Sequence, residues 1–86
     1  MESFRDIDIK MEFNIIINRI SVTSSHIRSI GYDLESKTLE IEFKSGDSFL
    51  YYTIDEELHL DLMNAESKGK FYNRYIRGQF PSEKKY

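Results

Sequence analysis

The chain has 86 residues, of which 40% are hydrophobic and 31% are charged, with a net charge of −3 and no cysteine. This composition is typical of one small folded domain, and it excludes a disordered polymer, a disulfide-stapled scaffold and a thiolate metal site. No stretch approaches the ~20 apolar residues that cross a bilayer, and the acidic start of the chain lacks the basic region of an export signal. We therefore expect a cytoplasmic protein without membrane association.

Charge is distributed unevenly along the chain. Residues 1–66 hold six Lys and Arg against fourteen Asp and Glu, a net charge of −8, whereas residues 67–86 hold six against one, a net charge of +5. A basic end on an acidic body is compatible with an anionic partner, and equally with a chain end that complements its own body. The charge pattern alone leaves both interpretations open.

The first half of the chain carries the pattern of β-strands. EFNIIINRISV is rich in β-branched residues that alternate imperfectly with polar ones, and HIRSIGYD is a second candidate strand. DLESK, which follows, is predicted to be a turn.

TLEIEFK is the clearest strand, because Leu39, Ile41 and Phe43 alternate with two glutamates and a lysine. This alternation predicts one buried face and one hydrated face, with both glutamates in water.

The turn KSGDS then reverses the chain into a further strand, FLYYTI. The length of the loop decides which side chains of this strand reach the core, since a one-residue slip turns every side chain over. An even loop points Phe49 and Tyr51 away from the core, and an odd loop points them into it. Either register leaves aromatic side chains on both faces of this strand.

Two helices are expected in the second half. Asp55 is placed to cap the first, with acidic residues in its first turn and leucines at helical spacing behind them. The segment 67–69 interrupts the pattern, and a second short helix is expected from about Lys70 to Arg77. Gly78 is placed to end that helix as its C′ residue.

These elements predict an α+β fold, a small antiparallel β-meander of three to four strands followed by two short helices. We expect residues 1–20 to form an N-terminal extension that contributes a strand. Residues 21–80 are expected to form the domain itself, and residues 81–86 a frayed tail.

No arrangement of residues in the sequence predicts an enzyme. Ser25 and His26 are neighbours, but on a strand they would point to opposite faces, and a serine pair that satisfies backbone groups is the simpler interpretation. His59 lies near Asp55 and Asp61, yet the spacing matches no metal-binding motif, and we expect His59 on the polar side of its helix. The four glycines are scattered and form no phosphate loop. We expect no catalytic activity, no metal and no cofactor.

A basic stripe is the first candidate for a binding surface. Lys70, Arg74 and Arg77 fall at i, i+4 and i+7 of the second helix, and such a stripe can hold phosphates. Asn73 lies on the neighbouring row. The alternative is a solvated helix face whose cations pair with acids of the first helix.

Phe49 and Tyr51 are the second candidate, two residues apart on one face of a strand. Aromatic side chains spaced in this way can stack on the bases of single-stranded RNA. The alternative is burial, under the N-terminal extension or against another subunit, which a chain this short of core would favour.

Several segments between Val22 and Phe80 together match a known pattern. They are VTSSHIRSIGYD, TLEIEF, Gly46 in the hairpin, FLYYTID and the closing AESKGKFYNRYIRGQF. These segments resemble the KTSC domain, a family named for its occurrence at the C-terminus of some lysyl-tRNA synthetases that also occurs as free-standing small proteins. The positions that meet the family's closing pattern are Ala65, Ser67, Gly69, Phe71, Tyr72, Asn73, Ile76 and Arg77.

The chain departs from the family pattern at two places. The central motif of the family is Tyr-x-Tyr, and here Phe49 stands first and Tyr51 second; phenylalanine cannot donate a hydrogen bond. Ile54 and Asp55 stand where relatives commonly have Val-Pro. What the resemblance implies for the partner is RNA, by association with the synthetase to which the family is attached.

Two hypotheses follow for the function. The first is a binding module for RNA or another phosphate-bearing molecule such as a nucleotide. Its expected ligand-binding residues are Phe49, Tyr51, Lys70, Asn73, Arg74 and Arg77. The second is a self-associating protein-interaction module, a homo-oligomer that binds no nucleic acid, with the aromatic strand and the N-terminal strand at the interface. A nucleotide pocket between subunits would combine the two.

Overall fold

A computed structural model describes residues 17–85 of the chain. The elements, in chain order, are β1 (Arg19–Ser21), β2 (Ile27–Asp33), β3 (Thr38–Phe43), β4 (Ser48–Tyr51), α1 (Glu56–Asn64), α2 (Lys68–Tyr75) and β5 (Ser82–Lys84). The strands form one antiparallel sheet in the order β1-β2-β3-β4-β5. The fold is therefore α+β, as predicted.

The described sheet has five strands rather than the three or four predicted. The additional strand is β5, which lies in the segment expected to fray. It pairs with β4, where Leu50 lies opposite Glu83, and the amide of Tyr52 donates to the carbonyl of Pro81 at 2.9 Å. The free edge of β4 offers backbone groups that the returning chain can bond. Sequence reasoning missed β5 because three exposed polar residues carry no alternating pattern.

β1 is the strand at the other edge and pairs with β2. It covers the end of the strand predicted in EFNIIINRISV, and the part of that prediction on residues 12–16 lies outside the described residues. Gly31 of β2 lies beneath the chain that enters β1, since a Cβ there would come within 2.7 Å of the carbonyl oxygen of Asn18. This close approach requires glycine at the position.

The loop of the β3–β4 hairpin has three residues. The amide of Phe43 donates to the carbonyl of Asp47 across the loop at 2.8 Å, and Gly46 has a φ of +102°, a conformation that glycine adopts freely. Of the two registers that the sequence leaves open, the odd one forms. It turns Phe49 and Tyr51 toward the inner face of the sheet.

The core lies between the inner face of the sheet and the two helices. Its fully buried apolar side chains are Ile27, Ile30, Leu39, Ile41, Ile54, Leu62 and Ile76. The alternation of β3 correctly predicts Leu39 and Ile41, and the helical spacing of α1 correctly predicts Leu62.

The first helix starts where the sequence predicts but without the predicted side-chain cap, and the second starts earlier than predicted. Asp55 occupies the N-cap position of α1, but its side chain makes no cap hydrogen bond and instead accepts from Lys37 Nζ at 3.2 Å. α2 begins earlier than predicted because the Oγ of Ser67 caps it, accepting from the amide of Lys70 at 3.2 Å. Gly69 therefore lies inside α2 and does not interrupt it.

α2 also ends earlier than predicted, at Tyr75. The amides of Ile76 and Arg77 both donate to the carbonyl of Tyr72, at 3.0 and 2.9 Å. Gly78 follows with a φ of +74° and reverses the chain one residue later than the C′ position predicted for it. Arg77 therefore lies beyond the end of the helix and is not part of a helical stripe with Lys70 and Arg74.

The outer face of the sheet is polar without being fully hydrated. Glu40, at the centre of β3, is 1% exposed. Its carboxylate lies 3.4 Å from the guanidinium of Arg19 and 3.3 Å from Lys85 Nζ. Beside it, Glu42 accepts from the hydroxyl of Ser29 at 2.8 Å. Cations from the two edges of the sheet therefore cover Glu40, and the prediction of a carboxylate in water is wrong at this position.

Candidate ligand-binding cleft

A cleft opens at one end of the sheet, between the bend before β2, the β3–β4 hairpin and α2. Its volume is about 490 Å³, within the ~300–1,000 Å³ of small-molecule sites. The strands and the hairpin contribute Ile27, Phe43, Lys44, Ser45, Asp47 and Phe49 to its lining. The bend and the helical side contribute Ser25, His26, Gly69, Tyr72, Asn73 and Arg77.

Three aromatic rings form one wall of this cleft. The ring of Phe43 lies 6.1 Å from that of Phe49 and 5.3 Å from that of Tyr72, centroid to centroid, and both pairs meet edge to face. The odd hairpin register produces the wall, since it points Phe49 to the side of the sheet that α2 covers. A planar group in the cleft would meet ring surface there.

Tyr51, the other member of the predicted aromatic pair, lies behind this wall and is 3% exposed. Its hydroxyl is 2.6 Å from the hydroxyl of Tyr72. Burial, and then this hydrogen bond, raises the pKa of Tyr51, so its phenol is neutral at physiological pH. Tyr51 cannot stack on a base in this arrangement, and it holds Tyr72 in position instead. The family pattern has tyrosine at both positions. This chain has phenylalanine at position 49 but keeps Tyr51, the residue whose hydroxyl is hydrogen-bonded to Tyr72.

Two cations from different elements line the cleft. Arg77 lies in the turn after α2, and Lys44 lies in the hairpin loop. Neither belongs to an ion pair among the residues that the structure describes. Asn73, one helical turn before Arg77, also lines the cleft. The fold thus brings Phe49, Asn73 and Arg77 together and adds Lys44, which the sequence analysis missed because the loop length was open.

The other two cations of the predicted stripe lie outside the cleft. Lys70 and Arg74 are exposed and are not among the described residues that line it. The guanidinium carbon of Arg74 lies 5.5 Å from the ring centroid of Tyr75. Within residues 17–85, no ion pair joins either cation to Glu57 or Asp61 of α1. The stripe is therefore divided at the point where α2 ends.

Ser25 and His26 reach the cleft from a bend that precedes β2. The expectation that they point to opposite faces assumed a strand, and it is wrong because the strand begins only at Ile27. Ser24 satisfies backbone groups, with its Oγ accepting from the amides of His26 and Ile27 at 3.3 and 3.2 Å. Satisfying backbone groups is the role predicted for the neighbouring Ser24 and Ser25, and Ser24 performs it.

His59 packs against Tyr32 instead of lying on a polar helix face, and the prediction for it is wrong. The two rings stack with centroids 4.5 Å apart, and burial lowers the pKa of His59. Residues 17–85 contain no group of three or more His, Cys, Asp or Glu side chains suited to a metal ion. Neither helix in this part of the chain is long and apolar enough to cross a membrane.

Comparison with known sequences identifies the domain. Residues 23–80 match the model of the KTSC domain family. An uncharacterised protein of Stutzerimonas stutzeri is 36% identical over 63 residues, which cover 73% of this chain and 89% of that protein. A lysine–tRNA ligase of Nostoc punctiforme is 39% identical over 59 residues, which cover 69% of this chain but 10% of the ligase. The second similarity is thus to one small part of an enzyme.

Comparison with solved structures leads to the same family. The crystal structure of a KTSC domain protein from Yersinia pestis matches with a TM-score of 0.78 and 39% identity, covering 80% of this chain and 97% of that one. The family predicted from the sequence motifs is confirmed by both comparisons. The chain belongs to the KTSC domain family.

Proposed function

We propose that the chain is a small non-enzymatic binding module whose cleft takes RNA or another phosphate-bearing molecule such as a nucleotide. One observation carries this proposal: Phe49, from the aromatic candidate, lines the same cleft as Asn73 and Arg77, from the basic-stripe candidate. Together they offer ring surface, an amide and a cation. A nucleotide uses these three groups, for its base, its hydrogen-bonding edges and its phosphate.

The charges around the cleft support an anionic ligand. Lys44 and Arg77 have no ion-pair partner among the described residues, whereas Asp47 on the same lining lies 3.4 Å from Lys84. The chain as a whole carries −3, but charges beyond ~10 Å are largely screened at moderate salt. The nearby cations therefore outweigh the net charge at this site.

The similarity to a segment of a lysine–tRNA ligase gives RNA some weight among phosphate-bearing ligands. This is an argument by association, because a shared fold does not confer a shared ligand. The absence of catalytic activity and the cytoplasmic location remain predictions from composition and motifs.

Binding can be tested with a labelled single-stranded RNA of about ten nucleotides, within the site sizes of small binding modules, and with AMP. We expect RNA binding, followed by fluorescence anisotropy, to weaken steeply with salt. Arg77→Ala should weaken RNA binding whatever the RNA sequence. It should also reduce the slope of log affinity against log salt concentration by about 1, because one phosphate contact is lost.

Arg74→Ala is the matched control, since it removes the same side chain from the same region outside the cleft. It should weaken RNA binding less than Arg77→Ala does. Equal losses of RNA affinity would indicate that RNA binds along the whole basic stripe and not in the cleft. If the wild type binds neither RNA nor AMP and light scattering shows a salt-resistant oligomer, the self-association hypothesis replaces this one.

A further inference from the structure

Asp47 is the one carboxylate among the described residues that line the cleft, and both of its oxygens are engaged. Oδ1 lies 3.4 Å from Lys84 Nζ, and Oδ2 accepts from the hydroxyl of Ser45 at 3.4 Å. Lys84 and Ser45 of the same chain therefore hold the carboxylate of Asp47 at the rim of the cleft.

β5 fixes the position of Lys84. Phe49 of β4 lies opposite Lys84 in the strand register, and the next amide, that of Lys85, donates to the carbonyl of Ser48 at 2.7 Å. Lys84 is thus placed beside the hairpin by a hydrogen-bonded strand. Its own contribution to stability is small, because both partners of the pair are about half exposed and water screens their attraction.

The pair matters more for the ligand than for the fold. An unpaired carboxylate at the rim would repel a bound phosphate, and at separations across a cleft of this size it would lower affinity by about threefold to tenfold. A neutral ligand would not be affected in this way.

We propose that Lys84 is a positioning residue that keeps the cleft selective for anions by neutralising and holding Asp47. Lys84 acts on the ligand through Asp47 and does not contact it. The ligand class that this arrangement admits is a phosphate ester, in preference to the corresponding neutral nucleoside. This inference rests on the proposed function of the cleft.

The test is a double-mutant cycle on the full chain, titrated with the single-stranded RNA, with AMP and with adenosine. We expect Lys84→Ala to weaken binding of the anionic probes by about threefold to tenfold and to leave adenosine binding unchanged. Asp47→Asn should bind the anions at least as tightly as the wild type. In the Asp47→Asn background, Lys84→Ala should cost less anion affinity than it does in the wild type, because only the long-range field of the lysine is then lost and no carboxylate is released.

Two further variants make the result specific. Lys84→Arg should restore anion binding, since it keeps the charge beside Asp47. Lys37→Ala removes a lysine from an exposed pair of the same type, with Asp55 at 3.2 Å, at the opposite end of β3, and it should leave anion binding unchanged. Urea unfolding of each variant checks that β5 has not simply been lost.

The possible failures are distinguishable. If the wild type binds neither RNA nor AMP, the proposed function and this inference both fall. If Arg77→Ala weakens anion binding while Lys84→Ala does not, only the role of Lys84 is overturned. An equal loss from Lys84→Ala with and without Asp47→Asn would show that Lys84 acts on the ligand through its own charge and not through Asp47, which also overturns it.

Discussion

The two faces of the sheet are both buried near its centre, but by different chemistry. On the inner face, Ile30 and Ile41 are at most 1% exposed and pack beneath the helices. On the outer face, Glu40 and Ser48 are equally buried, and the glutamate is covered by cations from the two edges of the sheet. Strand alternation separates apolar from polar positions, but it does not show whether the polar ones reach water.

The difference also separates the roles of the faces. The inner face extends into the aromatic wall of the cleft through Phe43 and Phe49. The outer face ties the edges of the sheet together, because Arg19 comes from β1 and Lys85 follows β5. Apolar packing therefore builds the wall of the candidate cleft, and the ion pairs hold the strands that frame it.

The greatest loss of stability is expected when a buried apolar side chain is removed from the inner face. Ile41→Ala removes a fully buried side chain and should lower the free energy of unfolding by ~2–5 kcal/mol, because the lost packing leaves a cavity. Urea unfolding followed by circular dichroism measures it. Leu34→Ala is the control, since Leu34 is 55% exposed and should change stability by less than ~0.5 kcal/mol. Similar losses from the two variants would contradict the assignment of the core.

An intermediate effect is expected on the outer face. Glu40→Gln keeps the shape of the side chain but removes the charge that faces Arg19 and Lys85. We expect a loss of ~1–3 kcal/mol in the free energy of unfolding, smaller than for a sealed pair because both cations are about a third exposed and can regain water.

Glu35→Gln makes the same chemical change in the exposed β2–β3 turn and should leave the urea midpoint almost unchanged. If Glu40→Gln were equally neutral, Glu40 would be buried without stabilising the edges, and the contrast between the two faces would disappear.

The smallest change in the free energy of unfolding is expected where the inner face meets the cleft. Tyr51→Phe removes the hydrogen bond to Tyr72 and should cost ~0.5–1.5 kcal/mol at neutral pH. Tyr75→Phe, at a tyrosine that is 47% exposed, is the matched control and should cost less.

The pH dependence of stability tests the same hydroxyl. Because the pKa of Tyr51 is raised in the folded state, the unfolded chain loses its proton first as pH rises. Stability from this group is therefore fully present below the unfolded pKa of ~10 and is lost above it. Urea midpoints between about pH 9 and pH 11 should fall more steeply for the wild type than for Tyr51→Phe. Parallel curves would show that burial does not perturb this phenol.

Much of the local structure follows from short-range pattern. The strand β3 with its apolar face, the turn before it and the helical position of Leu62 each depend on a few neighbouring residues, and each is predicted correctly. The family could be predicted for the same reason, because its motifs are short sets of residue types at fixed spacings, and residues 23–80 match the family model.

The errors concern interactions that join distant parts of the chain. β5 forms because β4 has a free edge, and Glu40 is buried because two residues far from it in sequence converge on its carboxylate. No local pattern in TLEIEFK or in the final residues carries that information.

The α+β class, the family and three of the residues on the candidate cleft can be predicted from the sequence alone, because spacing and residue type specify strands, helices and motifs. The tertiary structure was needed to place Phe49 on the cleft and Tyr51 behind it. One residue of loop length sets the register that turns both side chains inward, and Tyr72 then covers Tyr51. The tertiary structure also separated Arg77 from Lys70 and Arg74, because the helix ends before the stripe does. Which side chains share a cleft depends on where each element stops and what it packs against, and those contacts are made across the whole fold.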